Sequence, residues 1–208
     1  MLMEQSSVIR NSIKMIETIL KRMQTRYSRM LDTYYPSFET TGFTERNLTF
    51  NFCHEALCLN EKLIVWQEAP LSDKEQHLDS IIFDDVNKSI YIVEAKRLGA
   101  EGAISSIKND MERLEDLSTQ WKKIRGVDDY YVPERKNYKK YFVILVDFWA
   151  PNESTEDSVK NLKKYISFTE TVGTFGYNQI VGPFKVDGKT LDNQKYFLLC
   201  AVKTALSQ

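Results

Sequence analysis

The stretch HLDSIIFDDVNKSIYIVEAKRL, residues 77–98, sets Asp79, Glu94 and Lys96 inside runs of isoleucine, valine and phenylalanine that otherwise read as buried strand. Side chains two apart on a strand share a face, so Glu94 and Lys96 project together. The polar DDVNK between the two runs is turn-prone and predicts an antiparallel hairpin, which carries Asp79 to the same end of the sheet from the neighbouring strand. Two carboxylates about 4 Å apart repel by roughly 4 kcal/mol at an effective dielectric near 20. Desolvation adds to that, and without help one of them takes up a proton. One lysine relieves part of the conflict. A hard divalent cation relieves more, because oxygen ligands suit Mg²⁺ and one or two carboxylates are its usual protein share. Such a cation beside Lys96 would make a hydrolytic site, with a metal-bound water of lowered pKa and an ammonium that orients it or stabilises charge on a phosphodiester. The plainer alternative is a same-face ion pair where the strand leaves the core, with Asp79 unrelated to it. EAK alone favours that plainer reading, since the tripeptide is short and common.

The elements that must position these residues can be read from periodicity. From about Ser6 to Leu31 the apolar positions Ile9, Ile13, Ile16, Leu20, Met23, Tyr27 and Met30 alternate by four and three, the spacing of a coiled-coil seam on one long helix. That seam can pack on the chain's own core or pair with a second subunit. Its other faces carry Arg10, Lys14, Lys21, Arg22, Arg26 and Arg29. YYPSFETTG, around Pro36 and Gly42, breaks the helix, and TERNLTFNFCHEALCLN starts another with Thr44 as its cap and Glu45 in its first turn. Strands follow at 63–69, 78–83 and 89–96, then an amphipathic helix over 103–124 and a continuous apolar strand, YFVILVDFW. A further helix is expected over STEDSVKNLKKYISF, capped by Ser154 or Thr155, while QKYFLLCAVKTAL fits neither period decisively. The order helix, three strands, helix, strand predicts an α/β core with a mixed sheet.

Composition narrows the classes. The 208 residues suit one domain with a substantial core, and a formal net charge of −1 with pI near 6.2 excludes a globally basic protein, so nucleic acid must be met by a local patch. The longest apolar runs fall short of the roughly 20 residues of a spanning helix, and MLMEQSSVIRN has no secretory core. A cytoplasmic protein without a membrane partner is the expectation. Cys53, Cys58 and Cys200 are an odd number with no CxxC pair, which predicts reduced, structural thiols. FCHEALC gathers Cys53, His54 and Cys58, but on an amphipathic helix where cysteine packs as a small hydrophobe, so zinc is not expected there.

HLDSIIF followed by YIVEAKRL, preceded by the helix TERNLTF and followed by an amphipathic helix and one more apolar strand, resembles the PD-(D/E)XK nuclease superfamily, which includes many restriction endonucleases, Holliday junction resolvases and phage-type exonucleases. The resemblance covers residues 44–149, about half the chain, and Leu78 stands where the name's proline would be. It implies a restriction-endonuclease-like core with a mixed central sheet flanked by helices, to which this chain adds a long N-terminal helix and a C-terminal extension. Residues 1–35 would form a helical arm and 36–208 the nuclease domain. By position it implies metal ligation by Asp79, Glu94 and the Ala95 backbone carbonyl, with Glu45 as a further ligand, and Lys96 as the catalytic lysine. The cofactor would be Mg²⁺ or Mn²⁺, the substrate nucleic acid, most simply DNA, and the N-terminal helix could join a homodimer. Glu55 rivals Glu45 on the same helix, and Glu68 is a further candidate at the end of the first strand.

Two further features could meet a nucleic acid. YYVPERKNYKKY interleaves Tyr130, Tyr131, Tyr138 and Tyr141 with Arg135, Lys136, Lys139 and Lys140, able to stack bases and neutralise phosphates, or to be a solvated loop. Lys108, on the helix after the motif, could face a phosphate or merely solubilise. A non-catalytic module that keeps the nuclease core and binds nucleic acid or protein is the alternative function, and a coiled-coil assembly protein a third.

Overall fold

A computed structural model describes residues 2–33, 43–71, 76–98, 102–118, 121–124, 133–151, 156–188 and 194–205. The expected break at Pro36 and Gly42, the Ser154 or Thr155 cap, and Tyr130 and Tyr131 lie outside them. The chain order is α1 (Leu2–Thr33), α2 (Glu45–Leu59), β1 (Ile64–Pro70), β2 (His77–Asp84), β3 (Ser89–Arg97), α3 (Ala103–Ser118), β4 (Lys139–Pro151), α4 (Glu156–Thr174), β5 (Gln179–Val186) and β6 (Gln194–Thr204). The strands form one sheet in the order β1-β2-β3-β4-β6-β5. Among the described strands only the β3·β4 pairing is parallel, Ser89 opposite Lys139 and Arg97 opposite Asp147, with α3 in the crossover between them. The expected mixed sheet, in an α/β protein, is therefore present.

Strand periodicity divides the core into two. Tyr91, Val93 and Ala95 of β3 face a cluster that includes Ile16, Leu20, Met23 and Tyr27 of α1 and Leu48, Phe52 and Ala56 of α2. Ile90 and Ile92 face the opposite cluster, with Ile107, Met111 and Leu114 of α3 and Phe168 and Val172 of α4. Glu94 and Lys96 continue the Ile90, Ile92 row on the α3 side, Glu94 still buried and Lys96 partly exposed. The turn between β2 and β3 is the expected DDVNK: Asp84 accepts from the Asn87 backbone N–H at 3.0 Å and from its amide at 2.7 Å.

One open alternative is settled and one expectation changes. The α1 seam lies against the chain's own sheet from Ile16 to Leu31, all fully buried at Ile16, Ile19, Leu20, Met23, Tyr27 and Leu31. This part of the seam is therefore not available to a second subunit, and the expected 35/36 boundary lies outside the described residues. Gly188 fixes the contact from the other side, since a Cβ there would come within 2.8 Å of Leu31 Cβ. The helix expected over 103–124 ends at Ser118, and Trp121–Lys123 form a short 3₁₀ turn. Ile124 pairs as an isolated antiparallel bridge with Leu71, and Trp121 reaches the core. The unsettled C-terminal run is β6, whose continuous apolar sequence reflects burial on both faces between β4 and β5.

Candidate functional site

The site lies at the end of the sheet where β3 finishes and α2 begins. Thr44 caps α2 by accepting from Asn47 N at 3.2 Å, which sets Glu45 as the first helical residue, beside the positive end of the dipole. Glu45 Oε1 accepts from the Arg97 backbone N–H at 3.3 Å, and its Oε2 stands 3.6 Å from Lys96 Nζ. From β2, Asp79 Oδ2 accepts from the Ala95 N–H at 2.7 Å, so the carboxylate is fixed on the backbone of the motif itself. Asp79, Lys96 and Glu45 are thus brought to one cleft at this end of the sheet, a cleft that Glu94 does not line.

Two residues that the sequence reading did not single out complete the site. Asp110 of α3 places Oδ2 3.2 Å from Lys96 Nζ, and Arg113, one turn on, donates to Glu94 Oε1 at 2.6 Å and to Asp110 Oδ1 at 3.0 Å. Both sit on the α3 face next to the Ile107, Met111, Leu114 stripe; their three-residue spacing was the available signal, though acids and arginines on a helix surface are common.

Electrostatics here is strained. Glu94 is only 1% exposed, and burial, then the nearby Asp79, pushes its carboxyl well above the usual range, with Arg113 opposing. Burial also raises Asp79, against the Ala95 N–H and Lys96. Burial lowers Lys96, but Asp110, Glu45 and Asp79 outweigh it and hold the ammonium charged. Glu45, Asp79, Glu94 and Asp110 carry four formal negative charges against Lys96 and Arg113, leaving a surplus of two. Asp110 Oδ2 is moreover buried, with the Lys96 ammonium 3.2 Å away as its neighbour. This all-oxygen donor set, with more carboxylates than cations, suits a hard divalent cation held by one or two carboxylates and water. It is not a closed cage, for among the described residues the only three-residue group with ligand atoms within 4.8 Å of one another is His54, Glu55 and Cys58.

An open cleft of about 840 Å³ leads to the site, lined by Glu45, Arg46, Phe50, Glu68, Asp79 and Lys96. Glu68 holds φ at 51° between the Gln67–Ser80 and Ala69–Leu78 pairs of β1 and β2, and its carboxylate pairs with His77 at 2.7 Å. A non-glycine residue in the left-handed region is strained backbone, and it lies at the cleft wall.

The other candidates are elsewhere. Glu55, about 15 Å along α2 from Glu45, binds Arg22 at 2.8 Å and Arg26 at 2.7 Å. Cys53 packs in the core 3.0 Å from Ser80 Oγ and Cys200 is buried, whereas Cys58 is exposed, 3.5 Å from His54 Nδ1. Lys108 pairs with Glu112 at 3.9 Å, on the side of α3 away from Asp110. Arg135, Lys136, Lys139 and Lys140 sit at the opposite end of the sheet, since Lys139 is opposite Ser89, seven residues or about 23 Å from the register of Lys96. Arg135 is 8% exposed, forked onto Asp85 and stacked 4.2 Å over Phe83; Lys140 is 7% exposed and donates to the Lys136 and Tyr138 carbonyls. Those two side chains stabilise the β2–β3 turn region and the start of β4 rather than meeting a ligand at the site.

Among the described residues no helix is long and apolar enough to cross a membrane. No protein-family model, curated protein or solved structure matches the chain.

Proposed function

We propose that the chain is a metal-dependent nuclease of the PD-(D/E)XK kind, hydrolysing phosphodiester bonds, most simply in DNA. The observation that carries this reading is that Glu45, Asp79 and Lys96 line one open cleft, with the carboxyl group of Glu94 buried and that of Asp110 largely buried behind them. Asp79, Glu94 and the Ala95 carbonyl would hold Mg²⁺ or Mn²⁺, with Glu45 or Asp110 next in reach. When bound, the cation would supply a water of lowered pKa and neutralise charge on the phosphodiester.

The chain's own residues do the rest. Asp79 is oriented before any ligand arrives, because its Oδ2 is tied to the Ala95 N–H. Lys96 stays protonated between Asp110 and Glu45, so a donor is ready for charge that develops on a phosphoryl oxygen. Glu45 lies half-exposed on the cleft side of Lys96 and can accept a proton from water there. The cleft is open enough to admit a phosphate backbone.

One observation favours a second reading, a non-catalytic nucleic-acid- or protein-binding module: Arg113 already compensates Glu94 and Asp110 from within. Incubating the protein with linear, supercoiled and single-stranded DNA, with and without Mg²⁺ or Mn²⁺, separates the two. Metal-dependent cleavage lost in Asp79→Ala and Lys96→Ala supports the nuclease; cleavage that survives both removes this site, and metal-independent, salt-sensitive binding without cleavage supports the module.

A further inference from the structure

The basic face of α1 has no part in the site above. Residues 10–29 hold six cations, Arg10, Lys14, Lys21, Arg22, Arg26 and Arg29, against one acid, Glu17, in a chain of net charge −1. Arg22, Arg26 and Arg29 repeat at four and three, so they form one stripe, and they line a hollow of about 760 Å³ between α1 and the second half of α2. Their geometry is built rather than loose. Glu55, buried to 5% exposure, takes Arg22 on one oxygen and Arg26 on the other. Arg26 also reaches His54, Nη2 to Nδ1 at 2.9 Å.

α2 joins this hollow to the cleft. Arg46, Phe50 and His54 are four apart and share a face. Arg46 and Phe50 line the cleft with Asp79 and Lys96, and the Phe50 ring lies 6.0 Å from that of His54. Phe50 is 52% exposed, an aromatic ring left open to water between Arg46 and His54, its neighbours one turn to either side on α2. Burial of a core does not account for it.

We infer that a single strand of nucleic acid leaves the cleft along this face of α2, stacking a base on Phe50 and laying its phosphates along Arg26, Arg22 and Arg29. The inference rests on the nuclease reading and adds to it the path of the substrate and the preference for one strand. An exposed aromatic ring followed on the neighbouring helix by a row of arginines is the pairing that single strands require, because every base has a face to stack and each phosphate needs a cation, whereas a duplex hides its base faces. The run from Glu45 to Glu55, about 15 Å of helix, gives room for a few nucleotides beyond the scissile bond.

The test measures binding apart from cleavage. In EDTA, fluorescence anisotropy follows a labelled oligothymidylate of about 20 nucleotides, a duplex of the same length and labelled polyglutamate. The variants are Phe50→Ala with Arg29→Glu, both exposed positions; Arg22 and Arg26 are left in place because Glu55 depends on them. The double variant is expected to bind oligothymidylate about tenfold more weakly, and Phe50→Trp in the Arg29 background to bind as tightly as the natural chain. Unchanged affinity in the double variant, or a loss equally large for polyglutamate and duplex, would overturn the strand path. Cleavage by the natural chain, abolished by Asp79→Ala, with track variants that bind normally, keeps the nuclease and discards the path. Binding lost in the track variants of a chain that never cleaves keeps the path and discards the nuclease.

Discussion

Lys96 of β3 and Asp110 of α3 are joined across the boundary between sheet and helix, Nζ to Oδ2 at 3.2 Å. The contact makes Asp110 a positioning residue: it aims the ammonium at the cleft and keeps it charged. Asp110→Asn retains the shape and removes the charge. Cleavage is expected to fall about tenfold to a hundredfold. Because Asp110 is the largest of the charges raising Lys96, the alkaline limb of the pH profile should move to lower pH. A drop in rate with an unmoved alkaline limb would make Asp110 merely structural.

How far the site was legible follows from which forces place its members. The Asp79, Glu94, Lys96 constellation rests on period-two strand geometry and a short turn, both local, and both readable from DSIIFDDVNKSIYIVEAK. Glu45 was readable because a threonine cap fixes where its helix starts. Asp110 and Arg113 were not, because their role depends on how α3 rotates and docks on the sheet, which surface acids and arginines do not signal. β6 was hidden for a related reason: a strand buried on both faces has no alternation, so YFLLCAV carries no period to separate it from helix. The α1 seam showed its stickiness but not its partner, since a stripe of that width suits a sheet as well as a second helix.

Lys96→Arg should not rescue Lys96→Ala. The ammonium is a compact point charge held between Asp110 and Glu45 with its side chain only 17% exposed, and a planar guanidinium has neither the room nor the geometry. Both variants are expected to lose about 10²- to 10³-fold in cleavage, the range for removing one donor to a developing charge. Single-turnover assays at saturating metal check this; an arginine variant within a few-fold of the natural chain would mean that Lys96 supplies only bulk charge.

Glu94 couples metal and stability in opposite directions. Its folded pKa is raised, so its stabilising contribution is complete below the unfolded value of 4.5 and is lost as pH rises through the folded value. Glu94→Gln removes that loss. At neutral pH without metal the variant should melt a few °C higher than the natural chain, and with Mn²⁺ the order should reverse, because only the carboxylate gains a ligand. Thermal melts with EDTA and with Mn²⁺ read both halves; a metal-induced rise of equal size in the variant would exclude Glu94 as a ligand.

Asp147 gives a second pH dependence away from the cleft. It is 1% exposed, accepts from the Tyr196 hydroxyl, and lies 3.6 Å from Arg97 Nε. Burial, opposed by the Tyr196 hydrogen bond and Arg97, raises its carboxyl from 3.8 to about 6. The folded state therefore holds this proton more tightly, and stability should decline as pH rises from about 4 through 6, by on the order of 3 kcal/mol. Asp147→Asn keeps an acceptor for Tyr196 and should flatten that part of the profile. Urea denaturation at several pH values tests it, and an unchanged slope in the variant would assign the decline to other groups.

The N-terminal helix supplies the most direct test of the packing. Leu20 is fully buried in the cluster that includes Tyr91, Val93 and Tyr141 of the sheet, so its side chain is part of the core and not of a free seam. Leu20→Ala should cost about 2–5 kcal/mol, the range for a large-to-small change where neighbours collapse only partly. Removing residues 2–33 would expose the sheet face beneath α1 and should leave a chain that does not unfold cooperatively. A dimer arm behaves differently: its loss halves the mass and leaves the remaining domain folded. Sedimentation together with circular dichroism on the truncated chain distinguishes the two, because a stable, folded monomer obtained from a dimer would return α1 to the role of an arm.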